Sequence, residues 1–583
     1  MDFSRNNLDK ALSPYLKQHS DNPVNWQEWN SEVLDFAKIN NKPILVSSGY
    51  STCHWCHVMA KNTFSSVRTA RYLNSGFVCI KLDREERPDL DYYLMSFMME
   101  NYGQGGWPLN VLLSPDRKPF FAFTYLPEDD FIRALEYALD FYNNNNDRIS
   151  GYIPCNNIQK TASKELTSDI YRYYDENNKG FKGMQKFPAH STLLFLLFHY
   201  LIKGDGESRV MALETLDKMA LSGLNDPIAG GFFRYCTDQE WNIPHFEKMM
   251  YDQAMHVINY SLGYMALGRK EFRQVLEKTI SYISTQEDES GLYYTALDAD
   301  TRGVEGDTYL FSREEISGFK SDSGFNFVPY NNKYHVVKNS FKNNGLLEDA
   351  LIKMRNEKPK PFRDEKIITW VNCLIGLSFY YASMALGDER YRVRAMKIYN
   401  RYRLQWLESG RLQNLSFKGD IQYLDILENY ASLLVLATFL EEDISIIRGL
   451  REMVLSFNKQ GTWYSSIKTQ LGNIPASSFD HPVPSPVGFA KMGIERSGMI
   501  IGEESHDDEY LTPYISDFYN LAVFMRLHFP VVYTKEPLEF PLPGCLIIKS
   551  GKYQVCHARQ CRMFDTKEEM LKSLEEKGKS DKL

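Results

Sequence analysis

The first 145 residues alternate short apolar runs with amphipathic segments. The apolar runs predict strands at 43–47, 77–82, 109–113 and 120–124, and the amphipathic segments predict helices at 53–73, 88–99 and 127–142. Because the turn at 114–118 is short, the last two strands are expected to form an antiparallel hairpin. The order β-α-β-α-β-β-α predicts an α/β domain over residues 1–160.

From about residue 165 the pattern changes to pairs of amphipathic helices. The predicted pairs lie at 190–221, 249–285, 367–406, 427–455 and 487–525. This repeat predicts helical hairpins that close into an all-α (α/α)6 toroid over 165–535, with an open solenoid as the alternative. The block 304–361 interrupts the repeat as an insertion, and residues 536–583 form a C-terminal segment. A polar run at 143–147 places the linker between that run and Lys164.

Composition restricts the partners and the compartment. The 583 residues are 43% hydrophobic and 24% charged, which is ordinary for a globular protein of several domains. A net charge of −8 without basic clusters argues against nucleic acid as a partner. The longest nearly apolar run, 193–202, is about half of a membrane span, and the first residues lack the pattern of a secretory signal. The sequence therefore predicts a cytoplasmic protein with no membrane segment.

The nine cysteines do not resemble the disulfide framework of a small secreted domain. Two pairs are close in sequence, Cys53 with Cys56 and Cys556 with Cys561. The other five are predicted to be small buried or incidental thiols: Cys79, Cys155, Cys236, Cys373 and Cys545.

Cys53 and Cys56 follow a predicted strand and stand at the first turn of a predicted helix. There the unpaired N–H groups and the helix dipole lower the pKa of Cys53, so Cys53 is predicted to attack and Cys56 to resolve. Trp107-Pro108 precedes the third strand, where a thioredoxin-like fold has a cis-proline beside the dithiol. These features predict a thioredoxin-like domain that exchanges disulfides with a protein thiol or disulfide, with Pro108 shaping the docking edge.

Two other chemistries share this cysteine pattern. The run 53–57 is formally C-x-x-C-H, the attachment pattern of c-type haem, which normally requires an exported chain. The same cysteines are also half of a zinc site that His54, His57 or the C-terminal cysteine pair would complete. Our prediction is a redox dithiol with no metal and no cofactor, and zinc stays open as an alternative.

Several long motifs resemble one protein family. They lie at 48–59, 81–89, 105–111, 230–232, 244–249, 251–254, 296–300 and 305–306. Through them the chain resembles the family of spermatogenesis-associated protein 20 and its bacterial and archaeal relatives over nearly its whole length. The resemblance implies a thioredoxin-like domain fused to a six-hairpin toroid of the glycosidase and N-acylglucosamine 2-epimerase type. The resemblance predicts the architecture of the chain better than it predicts the reaction.

The chain departs from the family pattern at three places. Leu-Glu-Asn-Tyr stands at 427–430 where the family usually has Leu-Asp-Asp-Tyr, and Thr-Trp-Val-Asn at 369–372 replaces a Ser-Trp-Asn run. Pro-Ser-Pro-Val at 484–487 replaces Pro-Ser-Gly-Asn. The departures imply that the ancestral toroid pocket is altered or lost. The cysteine-containing segment 556–561 resembles the family's own tail.

Carbohydrate chemistry requires paired carboxyl groups or an acid–base pair, often with histidine. The predicted catalytic residues of the toroid are His245, Glu247, Asp298 and Asp300. The predicted substrate-binding residues are Trp107, Trp241, Tyr251, Asp252, Glu305 and Trp370. Because loops of a helical ring meet at one mouth, we expect the four catalytic candidates to share one polar, aromatic-lined cavity.

The same residues also fit a structural role, as turn and helix-cap residues or as a hydrogen-bonded pair between hairpins. Our primary prediction is therefore a thiol–disulfide oxidoreductase-type protein whose toroid binds a carbohydrate-like small molecule. One alternative is a sugar epimerase or glycoside hydrolase with a structural or regulatory thioredoxin-like domain. The other is a non-catalytic binding or scaffold protein.

Overall fold

The computed structural model describes residues 2–154, 166–319, 324–342, 345–441, 443–467, 469–480, 482–503, 516–536, 543–557 and 560–580. Cys155 and the linker position at Lys164 lie outside these ranges. None of the helices within them has both the length and the apolar character that a membrane crossing requires.

One four-stranded sheet organises the N-terminal domain. After a short 3-10 helix at Leu8–Lys10, its elements are α1 (Pro14–Lys17), α2 (Ser31–Ile39), β1 (Ile44–Gly49), α3 (His54–Asn62), α4 (Val67–Gly76), β2 (Val78–Asp83), α5 (Pro88–Tyr102), β3 (Leu109–Leu113), β4 (Pro119–Phe123) and α6 (Glu128–Asn145). The strand order is β2-β1-β3-β4, with β1 parallel to β2 and antiparallel to β3. The predicted thioredoxin-like fold is confirmed.

The central strand β1 is buried along its whole length. Its side chains alternate between two cores, with Leu45 packed on the side that contains the dithiol and Ile44 and Val46 packed on the other. Helices cover both faces of the sheet, which is why this strand reads as a continuous apolar run in the sequence.

One local prediction in this domain is wrong. The single helix predicted at 53–73 is broken into α3 and α4, because Phe64 turns into the core between them. Ser66 then begins α4 by accepting hydrogen bonds from the backbone N–H groups of Arg68 and Thr69. The polar run at 143–147, which precedes the predicted linker, forms the end of α6 and part of a short 3-10 helix at Asn146–Arg148.

The remaining helices follow in chain order. They are α7 (Leu166–Tyr171), α8 (His190–Lys203), α9 (Gly206–Ala220), α10 (Met250–Leu267), α11 (Lys270–Ser284), α12 (Arg313–Ile316), α13 (Gly345–Glu357), α14 (Thr369–Leu386), α15 (Glu389–Ser409), α16 (Leu427–Leu440), α17 (Ile444–Leu455), α18 (Pro486–Ile501), α19 (Asp517–His528) and α20 (Lys567–Ser580).

Six of these helices form a closed inner ring in the described part of the chain. Helices α8, α10, α14, α16, α18 and α19 pack against one another in that order, and α19 packs back against α8. The inner helices are buried almost all round, as in α10 and α14, because neighbours cover every face. The ring confirms the (α/α)6 toroid, and the open-solenoid alternative is wrong.

Short strands lie in the loops between helices. They are β5 (Tyr235–Cys236), β6 (Pro244–His245), β7 (Lys248–Met249), β8 (Ala296–Leu297), β9 (Asp300–Thr301), β10 (Val304–Glu305), β11 (Phe325–Tyr330), β12 (Lys333–Lys338), β13 (Arg363–Asp364), β14 (Ile367–Ile368), β15 (Leu415–Phe417), β16 (Asp420–Gln422), β17 (Asn458–Lys459), β18 (Thr462–Trp463), β19 (Val531–Thr534), β20 (Leu546–Lys549), β21 (Tyr553–His557) and β22 (Gln560–Phe564). The sheet β13-β8-β7 joins the loops that precede α10 and α14. These loops form the mouth of the ring.

Two further units are attached to the ring. The interruption at 304–361 contains the β11–β12 hairpin, α12 and α13, and it has a hydrophobic cluster of its own. The C-terminal unit is a sheet of order β20-β19-β21-β22 with α20. Its first strand begins at Val531, inside the range predicted for the toroid.

Candidate active site

Cys53 ends the loop after β1 and caps α3. Its Sγ accepts a hydrogen bond from the backbone N–H of Cys56 at 3.3 Å, and the two side chains form a disulfide with Cα atoms 5.2 Å apart. Cys556 and Cys561 form a second disulfide across β21 and β22. Within the described ranges, no three His, Cys, Asp or Glu side chains are grouped to hold a metal ion.

The toroid covers the dithiol. Cys53 is 3% exposed and Cys56 is 2% exposed, whereas the adjoining Trp55 is 48% exposed. The cover consists of the loops that carry β6 to β10, whose side chains bond to the residues on either side of the cysteines. In this arrangement of the domains a protein disulfide does not reach the sulfur of Cys53.

Two histidines beside the cysteines are bonded to toroid carboxylates. His54 Nδ1 lies 2.7 Å from Asp300 Oδ1, and His57 Nε2 lies 3.0 Å from Asp298 Oδ2. Burial lowers the pKa of each imidazole, but the hydrogen bond and the negative charge of its aspartate outweigh burial. The pKa of each histidine is therefore raised, and each ring is bonded to a carboxylate of the other domain.

A third histidine lies in the same cover. His245 Nδ1 is 2.6 Å from Glu305 Oε1, and its Nε2 is 3.6 Å from Glu247 Oε1. Glu305 Oε2 is also 3.9 Å from His54 Nε2. Burial raises the pKa of Glu305, but the hydrogen bond from His245 outweighs burial and the pKa is lowered. Glu305 thus stays ionised between two histidines.

The loop before Cys53 is bonded to Glu247. The Tyr50 hydroxyl donates to Oε1 at 3.0 Å and the Thr52 hydroxyl donates to Oε2 at 3.3 Å. The guanidinium of Arg234 binds the same carboxylate at 2.8 Å and also donates to the Tyr50 hydroxyl. Because Glu247 is fully buried, its charge depends on these partners, and this carboxylate joins the two domains.

The Trp107–Pro108 peptide bond is cis, as predicted. The indole N–H of Trp107 donates to Asp91 Oδ1 at 2.9 Å, and the guanidinium of Arg84 lies 4.1 Å from the indole ring centre. Arg234 of the toroid approaches the same ring at 5.9 Å. The edge of the thioredoxin-like domain beside Pro108 therefore faces the toroid.

A buried ionic cluster, which the sequence pattern does not predict, lies next to this site. Lys366 Nζ is 2.5 Å from Asp83, 2.7 Å from Glu85 and 3.4 Å from Asp364. The hydroxyl of Ser51 donates to Asp364. Burial raises the pKa of Glu85 to about 7. Burial lowers the pKa of Lys366, but the three carboxylates outweigh it and raise that pKa well above its usual value. The sequence signal was the acidic run directly after β2.

Tyr15 is a further residue beside the dithiol that the sequence pattern does not predict. Its side chain is buried, and its hydroxyl has no hydrogen-bond partner among the described residues. A Cβ atom added at Gly49 would lie 2.7 Å from Cys56 Sγ and would also meet the Tyr15 hydroxyl. The tyrosine and the resolving cysteine therefore share the space that this glycine leaves open.

Replacing Gly49 by alanine is expected to destabilise the oxidised protein by about 1–3 kcal/mol, because the added methyl displaces Cys56 or Tyr15. The midpoint of urea unfolding measures this change. Gly76→Ala is the matched control, since a Cβ there meets nothing within 4 Å. Equal midpoints for the two variants would show that the space beside Cys56 is not filled.

The other predicted substrate-binding residues do not all lie in the same part of the structure. Tyr251 stacks on Trp370 with ring centres 5.7 Å apart, and Tyr251 is close enough to Arg234 for the positive charge to act on its hydroxyl. Trp241 lies elsewhere, buried with its indole N–H donating to the carbonyl of Asn178 at 3.1 Å. Asp252 is also fully buried inside the ring and faces a histidine of α8. The structure does not bring Trp241 or Asp252 to the dithiol.

Sequence comparison finds relatives of this chain. Residues 5–167 match the family Thioredox_DsbH, described as protein of unknown function, DUF255. Spermatogenesis-associated protein 20 of Mus musculus is 36% identical over 346 residues, which cover 53% of this chain and 44% of the mouse protein. The protein of the same name from Homo sapiens is 31% identical over 499 residues, which cover 71% of this chain and 63% of the human protein. The chain thus matches less than two thirds of the length of either relative.

The cellobiose 2-epimerase of Spirochaeta thermophila aligns with a TM-score of 0.41 at 14% identity, covering 62% of this chain and 82% of that chain. The sequence relatives confirm the resemblance that the motifs predict.

Proposed function

We propose that this chain, which is similar to spermatogenesis-associated protein 20, is a thiol–disulfide oxidoreductase. Its dithiol reacts when the toroid loops that cover it open. The observation that carries the proposal is the position of Cys53. It caps α3, pairs with Cys56, and lies under toroid carboxylates that are bonded to the neighbouring histidines.

In the reduced protein the Cys53 thiolate attacks one sulfur of a substrate disulfide. The substrate S–S bond breaks, a mixed disulfide forms, and one substrate thiolate leaves. The Cys56 thiolate then attacks the Cys53 sulfur, which forms the Cys53–Cys56 disulfide and releases the second substrate thiolate. Two electrons pass from the dithiol to the substrate. The N-terminus of α3 favours the thiolate form of Cys53.

The cover decides which substrates gain access. Bonds across the interface involve residues immediately before and after Cys53, so separation of the loops that carry Asp298 and Asp300 would uncover the sulfur. A protein thiol or disulfide is the proposed partner, and it requires this opening because the edge beside Pro108 faces Arg234 in the closed arrangement.

Opening is expected to increase with pH. The folded-state pKa of His54 and His57 is raised, so their ion pairs stabilise the closed form fully below the ordinary histidine pKa of about 6.5. That stabilisation is lost as the pH rises through the raised values. Hydrogen–deuterium exchange of α3 in the oxidised protein, corrected for the intrinsic pH dependence of exchange, measures this effect without involving the thiols.

The double variant Asp298→Asn, Asp300→Asn should exchange several-fold faster than the wild type at pH 6, and the difference should shrink above the histidine pKa. Asp307→Asn is the matched control, because Asp307 lies near the same loop but pairs with Lys333. Identical exchange of the double variant and the wild type at every pH would contradict the proposed cover.

The carbohydrate alternative has less support. Glu247, Asp298 and Asp300 are bonded to the thioredoxin-like domain, so the carboxylates predicted for sugar chemistry are already occupied when the cover is closed. A reaction at the toroid mouth would need the same opening as the redox reaction. We therefore assign the chemistry to the dithiol.

A further inference from the structure

A cleft of about 1070 Å³ lies between the N-terminal segment and the loops around the second and third helical hairpins of the toroid. Its walls include Lys17 and Gln18 of the thioredoxin-like domain and Phe362 and Phe417 of the toroid. None of the cysteines and none of the histidines of the dithiol site lines it. The cleft is large enough for a ligand bigger than a phosphate ion.

Several polar groups in the wall are buried and unsatisfied. The hydroxyls of Tyr282 and Tyr309, Oε1 of Gln286 and Nε of Arg355 have no hydrogen-bond partner among the described residues. Each of these four side chains is 6% exposed or less. A buried polar group without a partner is destabilising, so such groups are rarely gathered in one place without a ligand or water to bind.

The cleft is also positively charged, although the chain as a whole has a net charge of −8. Lys17, Lys360 and Lys418 stand exposed at its rim, and no described carboxylate forms a salt bridge with any of them. Deeper in the wall, Lys248 and Arg355 both bind the single carboxylate of Asp226. The local excess of cations attracts an anion.

We propose that this cleft binds a small molecule that carries a phosphate ester on a ring. The rim lysines act as point charges for the phosphate. The unpaired hydroxyls of Tyr282 and Tyr309 donate hydrogen bonds to hydroxyl groups on the ligand, and the unpaired Oε1 of Gln286 accepts one. The exposed aromatic ring of Phe362 provides a surface for its ring. A sugar phosphate and a nucleotide share this chemistry.

Isothermal titration calorimetry of the whole chain distinguishes a sugar phosphate from a nucleotide as the ligand. Glucose 6-phosphate, AMP, inorganic phosphate and glucose are titrated separately. Binding of at least one ester is expected, with an affinity at least about ten-fold above that of inorganic phosphate and glucose. No binding of either ester, or equal affinity for inorganic phosphate, would overturn the proposal.

Variants locate the site. Lys360→Gln with Lys418→Gln should weaken the bound ester by at least about ten-fold, whereas Lys353→Gln on the exposed face of α13 should leave it unchanged. Tyr309→Phe should weaken the ester without changing any residual binding of inorganic phosphate. Cys53→Ser should bind the ester normally, which separates this site from the redox function. Undiminished binding in the lysine double variant would place the ligand elsewhere and overturn the assignment.

Discussion

Replacing Cys53 by serine is expected to lower the rate of thiol–disulfide exchange by at least about a thousand-fold. Serine keeps the cap of α3 but removes the thiolate that attacks the substrate, and Cys56 lies inside the helix rather than at the cap position. Reduction of a peptide disulfide, followed through release of the peptide thiol, measures the rate. In Cys56→Ser the first step remains, so a mixed disulfide between Cys53 and the peptide should accumulate.

Cys373→Ala is the control for this series. Cys373 is 1% exposed inside the toroid, and burial raises its pKa to about 12, so its thiol does not react near neutral pH. Preferential alkylation of Cys53 over Cys56 in the reduced protein at pH 6 provides a second readout. Retention of exchange in Cys53→Ser, or labelling of Cys56 first, would contradict the assigned roles.

Replacing Lys366 by methionine is expected to destabilise the protein by about 3–5 kcal/mol. The substitution leaves Asp83, Glu85 and Asp364 buried together without their cation. Asp83 and Glu85 belong to the thioredoxin-like domain and Asp364 to the toroid, so contact between the domains is weakened as well. The midpoint of urea unfolding and the rate of Cys53 alkylation measure the two effects.

The defect of this variant should be smaller at pH 5.5 than at pH 8. A carboxyl whose pKa is raised in the folded state binds more protons there than in the unfolded chain, so stability falls as the pH rises. In the wild type the pKa of Glu85 is already about 7. Lys353→Met removes an exposed lysine and should leave the midpoint unchanged. A pH-independent defect, or none, would show that the cluster does not depend on this cation.

Much of the fold was predictable because it depends on neighbours in sequence. The third strand was predicted at 109–113 and is observed at Leu109–Leu113, since an apolar run buried on both faces has few alternatives. The pairs of amphipathic helices were predicted for a similar reason, through their repeat. The prediction failed where a single side chain decided the outcome. Phe64 enters the core and divides the predicted helix at 53–73 in two.

The position of Cys53 at a helix start could also be predicted from the sequence, because the strand, the loop and the helix start are consecutive. The burial of Cys53 could not be predicted in this way. His54 and Asp300 are separated by 246 positions, and Tyr50 and Glu247 by 197. The same holds for Lys366, whose carboxylates belong to both domains. A pattern along the chain identifies ionisable residues but does not identify the charges that will face them.

By itself the sequence determined the two domain types, the order of their elements and the dithiol at the start of a helix, since each depends on contacts within one segment or between adjacent repeats. Only the tertiary structure decided that His245, Glu247, Asp298 and Asp300 lie over the dithiol. Their position depends on closure of the helical ring, which gathers distant loops at one mouth, and on docking of the thioredoxin-like domain against that mouth. Buried charges then pair across the interface because leaving them unpaired would cost several kcal/mol each.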